Sequence, residues 1–271
     1  MYPLFEGNVD VQNDNFTYSI SESCFEIQLN VVKSDDVANL SVNVKPEDDD
    51  GYELLVSYGV VVNGTGNYVD FDLWKVEEQV FSLPLSSTEN QIKLEVEVHE
   101  ILSSKSIDKP GPHRNFRVLT KNGELYVNAT WLKENVGGSL FSDWYLRECQ
   151  GESTVVPTNI GENELEILLK AVCSYSRIIV TKRSFDVLLD VAWNFKMVYL
   201  LRAIEHYLQQ ARSVHNMEKL IFAYKYKFAM LATAILAPLD SLERRKEALY
   251  GYLEEKSLTE IPHELLEMLD L

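Results

Sequence analysis

The apolar residues between Ser139 and Gln209 recur at helical spacing, with short gaps between the helical segments. The clearest members are Leu165, Leu168, Leu169 and Val172 in one segment, and Phe185, Leu188, Leu189 and Ala192 in the next. Short connections keep consecutive helices close together in space. The pattern therefore predicts a compact helical core about seventy residues long.

A strand-turn-strand pattern precedes this helical block. Phe116–Thr120 and Leu125–Val127 are apolar runs, and Asn122-Gly123 lies in the turn between them. Asn-Gly between two apolar runs is the strongest short signal for a β-hairpin. The order then continues with a helix at Trp131, a helix at Leu140, a short strand over 153–156 and three further helices.

The first hundred residues alternate apolar and polar positions in short runs. The clearest runs are Phe25–Val31, Leu40–Val44 and Ile92–Val98. Period two is typical of strands that bury one face. Turn residues separate the runs at 45–51, 63–66 and 86–90, and such spacing indicates an antiparallel β-sandwich.

Three helices are predicted after Gln210. Ser213 is expected to cap the first, which carries Leu220, Tyr224 and Phe228 along one side. Asp240 or Ser241 is expected to cap the second, and Pro262 stands where the third begins. These helices either complete the hydrophobic packing or contribute to a partner contact, and the sequence leaves both alternatives open.

Length and charge favour two modules. The chain has 271 residues, 46% of them hydrophobic, enough for two cores. The net charge of −17 is unevenly divided: residues 1–105 carry 20 acidic and 5 basic side chains, whereas residues 106–271 carry 22 and 20. The acidic first part disfavours nucleic acid as its partner. It serves either as a solubilising surface or as a surface for a basic partner.

Candidate chemistry is sparse. The three cysteines, Cys24, Cys149 and Cys173, are widely spaced, which is typical of free thiols in a reducing compartment. The five histidines are scattered, and no catalytic, cofactor or metal motif is apparent. With no predicted signal peptide or membrane span, we expect a cytoplasmic or nuclear protein that is not an enzyme and carries no cofactor.

The element order over roughly 104–210 resembles a BTB/POZ domain. Leu140–Glu148, Asn163–Leu169 and Phe185–Leu200 look like successive helical stretches of that family, with a loop near Asn194 separating its paired late helices. The chain departs from the family pattern at three places. These are Asn115-Phe116 at the first strand, Asn128-Ala129 after the second, and the segment 131–138.

The alternating region in front resembles a MATH domain, through the order of its strands, the early Phe16–Ile20 and the late Val69–Trp74. The predicted fold is therefore α+β. A MATH/TRAF-like antiparallel sandwich spans 1–102, an α/β BTB/POZ-like domain spans 103–210, and a helical extension spans 211–271.

These resemblances imply an adaptor that recruits a substrate protein, held by the sandwich, to a cullin-3 ubiquitin ligase. Members that bind cullin-3 use a hydrophobic-x-Glu element, which matches Leu146, Arg147 and Glu148; Trp144 and Tyr145 adjoin it as further candidate partner-binding residues. The alternative is a scaffold of similar folds without cullin.

The BTB resemblance also implies a homodimer, formed through segments that correspond to 103–114 and 129–136. Pro110, Gly111 and Pro112 interrupt the first of these, because proline is incompatible with a helix interior.

Overall fold

A computed structural model describes most of the backbone. It leaves out residues 1–3, 11–14, 23–24, 35–36, 47–51, 63–64, 76–77, 85–90, 104–106 and 176; side chains are described at 54–59, 68–73, 97, 99, 102 and from 107 onward except 176. The chain forms two compact units, Met1–Ser106 with Thr181–Arg183, and Ile107–Val180 with Ser184–Leu271. The predicted C-terminal extension therefore belongs to the second unit.

The described part of the first unit contains eight β-strands. They are β1 (Leu4–Asp10), β2 (Asn15–Glu22), β3 (Phe25–Ser34), β4 (Val37–Pro46), β5 (Tyr52–Val62), β6 (Thr65–Lys75), β7 (Glu78–Pro84) and β8 (Gln91–Ser103). They form two antiparallel four-stranded sheets, with orders β1-β8-β5-β6 and β2-β3-β4-β7. The predicted strands are present; their assembly into a sandwich stays a prediction. The predicted turns fall wholly or partly outside the described residues.

Irregular positions on three neighbouring strands meet at Ser57. The β5 register shifts on both sides near Val56, against β6 and against β8. Ser57 Oγ accepts from the Phe71 N–H at 3.1 Å and lies 2.7 Å from His99 Nε2. The Phe71 ring stacks on His99 with centroids 4.6 Å apart. Phe71 has φ +52°, so this bond to Ser57 stabilises a backbone conformation that is rare for phenylalanine.

The second unit is mixed α and β. Its described strands are β9 (Phe116–Thr120), β10 (Gly123–Val127) and β11 (Thr154–Val155). Its described helices are α1 (Ala129–Asn135), α2 (Gly138–Cys149), α3 (Glu162–Val172), α4 (Phe185–Asn194), α5 (Val198–Gln210), α6 (Asn216–Tyr226), α7 (Ala229–Leu236), α8 (Leu242–Glu255) and α9 (His263–Leu269). The mixed α+β class expected from the sequence is confirmed.

A three-stranded sheet organises the first half of this unit. The hairpin pairs β9 with β10 from Phe116↔Val127 to Thr120↔Gly123, as Asn122-Gly123 predicts. The short β11 joins the other side of β9 in parallel, so the order is β10-β9-β11. Parallel strands need a crossover, and α1 and α2 supply it.

The helices bury the residues that their spacing selects. Fully or almost fully buried side chains include Leu132, Phe141, Trp144, Leu165, Leu168, Leu169, Leu188 and Leu208. The predicted break near Asn194 is confirmed, since α4 ends there and α5 begins at Val198. Together these side chains form the hydrophobic core of the second unit.

The start of α2 is fixed to the connection between α4 and α5. The Ser139 N–H donates to the Phe195 carbonyl at 2.8 Å. Gly138 has φ +88°, and a Cβ at this position would lie 2.6 Å from Met197 Cγ and 2.7 Å from the Phe195 oxygen. Only glycine therefore permits both this backbone conformation and this close approach.

The C-terminal helices differ from the prediction at two points. Ser241 caps α8 and Pro262 precedes α9, as expected. Ser213 does not cap α6; His215 does, because its Nδ1 accepts from the Met217 N–H at 3.1 Å. The predicted helix also breaks where Lys227 adopts the left-handed conformation, and Phe228 opens α7.

Residues 107–115 form no helix. Bends precede a short antiparallel bridge between Gly111 and Arg114, consistent with the neighbouring prolines. Within the described residues, every helix is too short or too polar to cross a bilayer.

Candidate protein-interaction site

The last turn of α2 presents an apolar side chain to solvent. Leu140, Phe141 and Trp144 face the core, and Leu146 on the opposite side is 58% exposed. An exposed leucine alone is unremarkable, since most protein surfaces carry some. Leu146 becomes a candidate because charged residues with fixed partners flank it in α2, and one of them, Arg147, also lines a cavity.

Trp144, a predicted partner-binding residue, lies in the core instead. Its side chain is 0% exposed, and its ring lies 5.3 Å from Phe141 and 5.9 Å from Phe116 between centroids. A residue with no accessible surface cannot contact a partner in this conformation. Its spacing of three and four residues from Phe141 and Leu140 already indicated the buried face.

Tyr145 is half-buried beside α1. Lys133 Nζ lies 3.8 Å from its ring centroid, a cation–π contact between the two helices. A hydrogen bond with the exposed Cys149 raises the pKa of Tyr145. The ring is therefore held against Lys133 of α1, one residue before Leu146 along the helix.

The charged neighbours of Leu146 are held in place. Arg147 Nε donates to Asp143 Oδ2 at 2.8 Å, and Glu152 Oε2 lies 3.7 Å from Arg147 Nη1. The bond to Asp143 raises the pKa of Arg147. Thr130 Oγ1 donates to Glu148 Oε2 at 3.1 Å. These exposed contacts add little stability, but they limit the side-chain freedom that binding would otherwise remove.

An open cavity of about 400 Å³ adjoins Arg147. It is lined by Leu119, Asp143, Arg147, Ser153, Thr154, Val155 and Pro157. Val155 stands on the edge strand β11 and is 64% exposed. The cavity therefore offers apolar walls, an edge strand and an ordered ion pair.

The sequence did not identify Asp143 and Val155 as part of this site. For Asp143, its i,i+4 spacing from Arg147 was the available signal.

Across the described residues, no cluster of three or more His, Cys, Asp or Glu side chains is placed to hold a metal ion. Two of the histidines have hydrogen-bonding roles within helices: His206 lies 3.0 Å from Gln210, and His215 caps α6. What the last turn of α2 can do is bind, through an apolar side chain flanked by fixed charges.

No protein-family model and no curated protein matches this sequence.

Proposed function

We propose that this protein is a non-catalytic adaptor of the MATH–BTB type that brings a substrate protein to a cullin-3 ubiquitin ligase. The β10-β9-β11 sheet, with α1 and α2 between β10 and β11 and with α3, α4 and α5 directly after it, supports the BTB-like part. Two antiparallel sheets that precede it in the sequence support the MATH-like part. Such an adaptor works by proximity, because two linked binding events raise the local concentration of substrate.

The observation that carries the proposal is the exposure of Leu146 between ordered charges. In a hydrophobic-x-Glu contact, Leu146 fills a pocket of the partner while Glu148 fixes the register. Glu148 already accepts a hydrogen bond from Thr130, so little freedom is lost on binding. Among the five residues named from the sequence, Trp144 has no place in this contact, since it is buried.

The test measures binding of the full chain to the N-terminal region of cullin-3 by calorimetry. Leu146→Ala with Glu148→Ala is expected to weaken binding by about 30-fold or more, since a hot-spot residue contributes about 2 kcal/mol or more. The chain holds a matched control. Leu258-Thr259-Glu260 is also a hydrophobic-x-Glu triplet, with Leu258 41% exposed, and its double alanine variant should bind normally.

The outcomes separate two errors. If the unaltered protein fails to bind cullin-3, the ligase role is wrong. If it binds and the Leu146/Glu148 variant binds equally well, the adaptor role stands and the site is wrong.

A scaffold without cullin is the second candidate. In the BTB family the first helix helps to hold two copies together. Residues 107–115, where that helix is expected, form no helix, and this departure from the family pattern favours the scaffold. Light scattering over a concentration series tests this point. A monomer at every concentration would exclude family-like dimerisation, whereas a dimer would require another surface in this chain.

A further inference from the structure

One face of α4 is exposed and unlike an ordinary solvated helix face. Asp186, Asp190 and Trp193 are all exposed, and their spacing of four and three residues places them along one side. The opposite side is buried through Phe185, Leu188, Leu189, Val191 and Ala192. Trp193 leaves 45% of its surface in water, which is costly for the largest apolar side chain.

Tyr226 of α6 completes this surface. Its ring lies perpendicular to that of Trp193, with centroids 5.4 Å apart, and its hydroxyl donates to Asp190 Oδ1 at 3.1 Å. Burial and the negative charge of Asp190 raise the pKa of Tyr226 to about 12. Two rings and a carboxylate are thus held in fixed positions. We call Asp186, Asp190, Trp193 and Tyr226 the acidic–aromatic face.

The acidic side chains of this face have no positive side chain beside them in α4. The ten residues of α4 include two aspartates and no lysine or arginine. Within the described part of the chain, no cationic group lies within 4 Å of either carboxylate. Burial and then repulsion from Asp190 raise the pKa of Asp186, with no neighbouring cation to lower it. The charge of Asp190 therefore makes ionisation of Asp186 less favourable, and a nearby positive charge would favour it.

Helix α8 provides an internal comparison. Glu243, Glu247 and Tyr250 repeat the same spacing of two acids and an exposed aromatic residue. In α8, however, three basic residues, Arg244, Arg245 and Lys246, stand between the two acids. An acidic pattern interleaved with basic residues is typical of a solvated face. The acidic–aromatic face on α4 has the same pattern, but the helix itself contains no basic residue.

We propose that the acidic–aromatic face binds a basic segment of a partner protein, with an arginine or lysine side chain lying on Trp193 and paired with Asp190. A cation over an indole ring is attracted by its π electrons, and a carboxylate beside it adds a charge-assisted hydrogen bond. The apolar surface of Trp193 also suits the aliphatic part of that side chain. Nucleic acid is excluded because two carboxylates repel phosphate.

This interface uses residues other than Leu146–Glu148, and it does not depend on cullin binding.

The probe is a fluorescent peptide of alternating arginine and leucine, and its binding to the full chain is followed by anisotropy at low salt. Asp186→Asn with Asp190→Asn is expected to weaken binding tenfold or more. Trp193→Leu, which keeps an apolar side chain and removes the π face, should weaken it by at least threefold.

The control pair is Glu243→Gln with Glu247→Gln. It removes the same two charges from a chain of net charge −17, so it corrects for long-range attraction of a basic peptide. Its affinity should stay within twofold of the unaltered protein. The proposal is overturned if both double variants weaken binding equally, if Trp193→Leu has no effect, or if the unaltered protein does not bind the peptide.

Discussion

Replacing Gly138 by alanine tests the contact that fixes the start of α2. Two costs add at this position. An alanine at φ +88° pays about 1–2 kcal/mol for a left-handed backbone. Its Cβ would also lie 2.7 Å from the Phe195 carbonyl oxygen, a backbone atom that cannot rotate away, and overpacking of this kind costs about 1–3 kcal/mol. We therefore expect Gly138→Ala to lower the free energy of unfolding by about 2–5 kcal/mol.

Two other glycines separate these costs. Gly151 has φ +72° but an open surrounding, so Gly151→Ala should cost only the conformational part, about 1–2 kcal/mol. Gly251 lies inside α8 with no atom within 4 Å of the added Cβ, so Gly251→Ala should stabilise by about 0.5–1 kcal/mol through helix propensity.

The assay is urea unfolding of the full chain followed by far-ultraviolet circular dichroism. All described helices lie in the second unit, so the helical signal reports on it. Midpoints at an unchanged slope give the differences in free energy. The expected order of stability is Gly251→Ala, the unaltered protein, Gly151→Ala and then Gly138→Ala. Equal losses for Gly138→Ala and Gly151→Ala would refute the close approach of α2 to Phe195.

Two predictions concern titratable side chains. In a Cys24→Ser background, a thiol reagent should modify Cys149 in the native protein and Cys173 only after unfolding, since burial raises the pKa of Cys173 to about 12; equal rates would contradict this. By NMR of ring-labelled tyrosine, Tyr226 should remain protonated at pH values where an ordinary tyrosine has ionised, because burial and Asp190 raise its pKa to about 12. Asp190→Asn should lower that pKa, and an unchanged value would count against the contact.

Local signals in the sequence predicted the second unit well. Asn122-Gly123 predicted the hairpin because few residue pairs suit so tight a turn. Helical spacing predicted α3 and α4 because both helices bury one face. The break at Lys227 was missed because neither glycine nor proline marks it; the residue after it, Phe228, is buried and opens α7.

The candidate site was predicted less completely. Leu146 is exposed as a contact residue requires, and its position in α2 follows from helix periodicity. Trp144 was assigned to the surface through its sequence neighbours, although its spacing from Leu140 is that of the buried face. The role of Val155 could not be predicted, because it depends on which strand pairs with β9, and pairing between distant segments leaves no local pattern.

The parallel pairing of β11 with β9 has a consequence for how the chain is made. During synthesis the hairpin can form as soon as Val127 has emerged, since its contacts are local. The outer edge of β9 stays unpaired until α1, α2 and finally Thr154 have followed. An open edge is a template for pairing with other chains. Nascent chains that stop before Thr154 therefore expose an edge of β9 that pairing with β11 later covers, and this edge can pair with other chains.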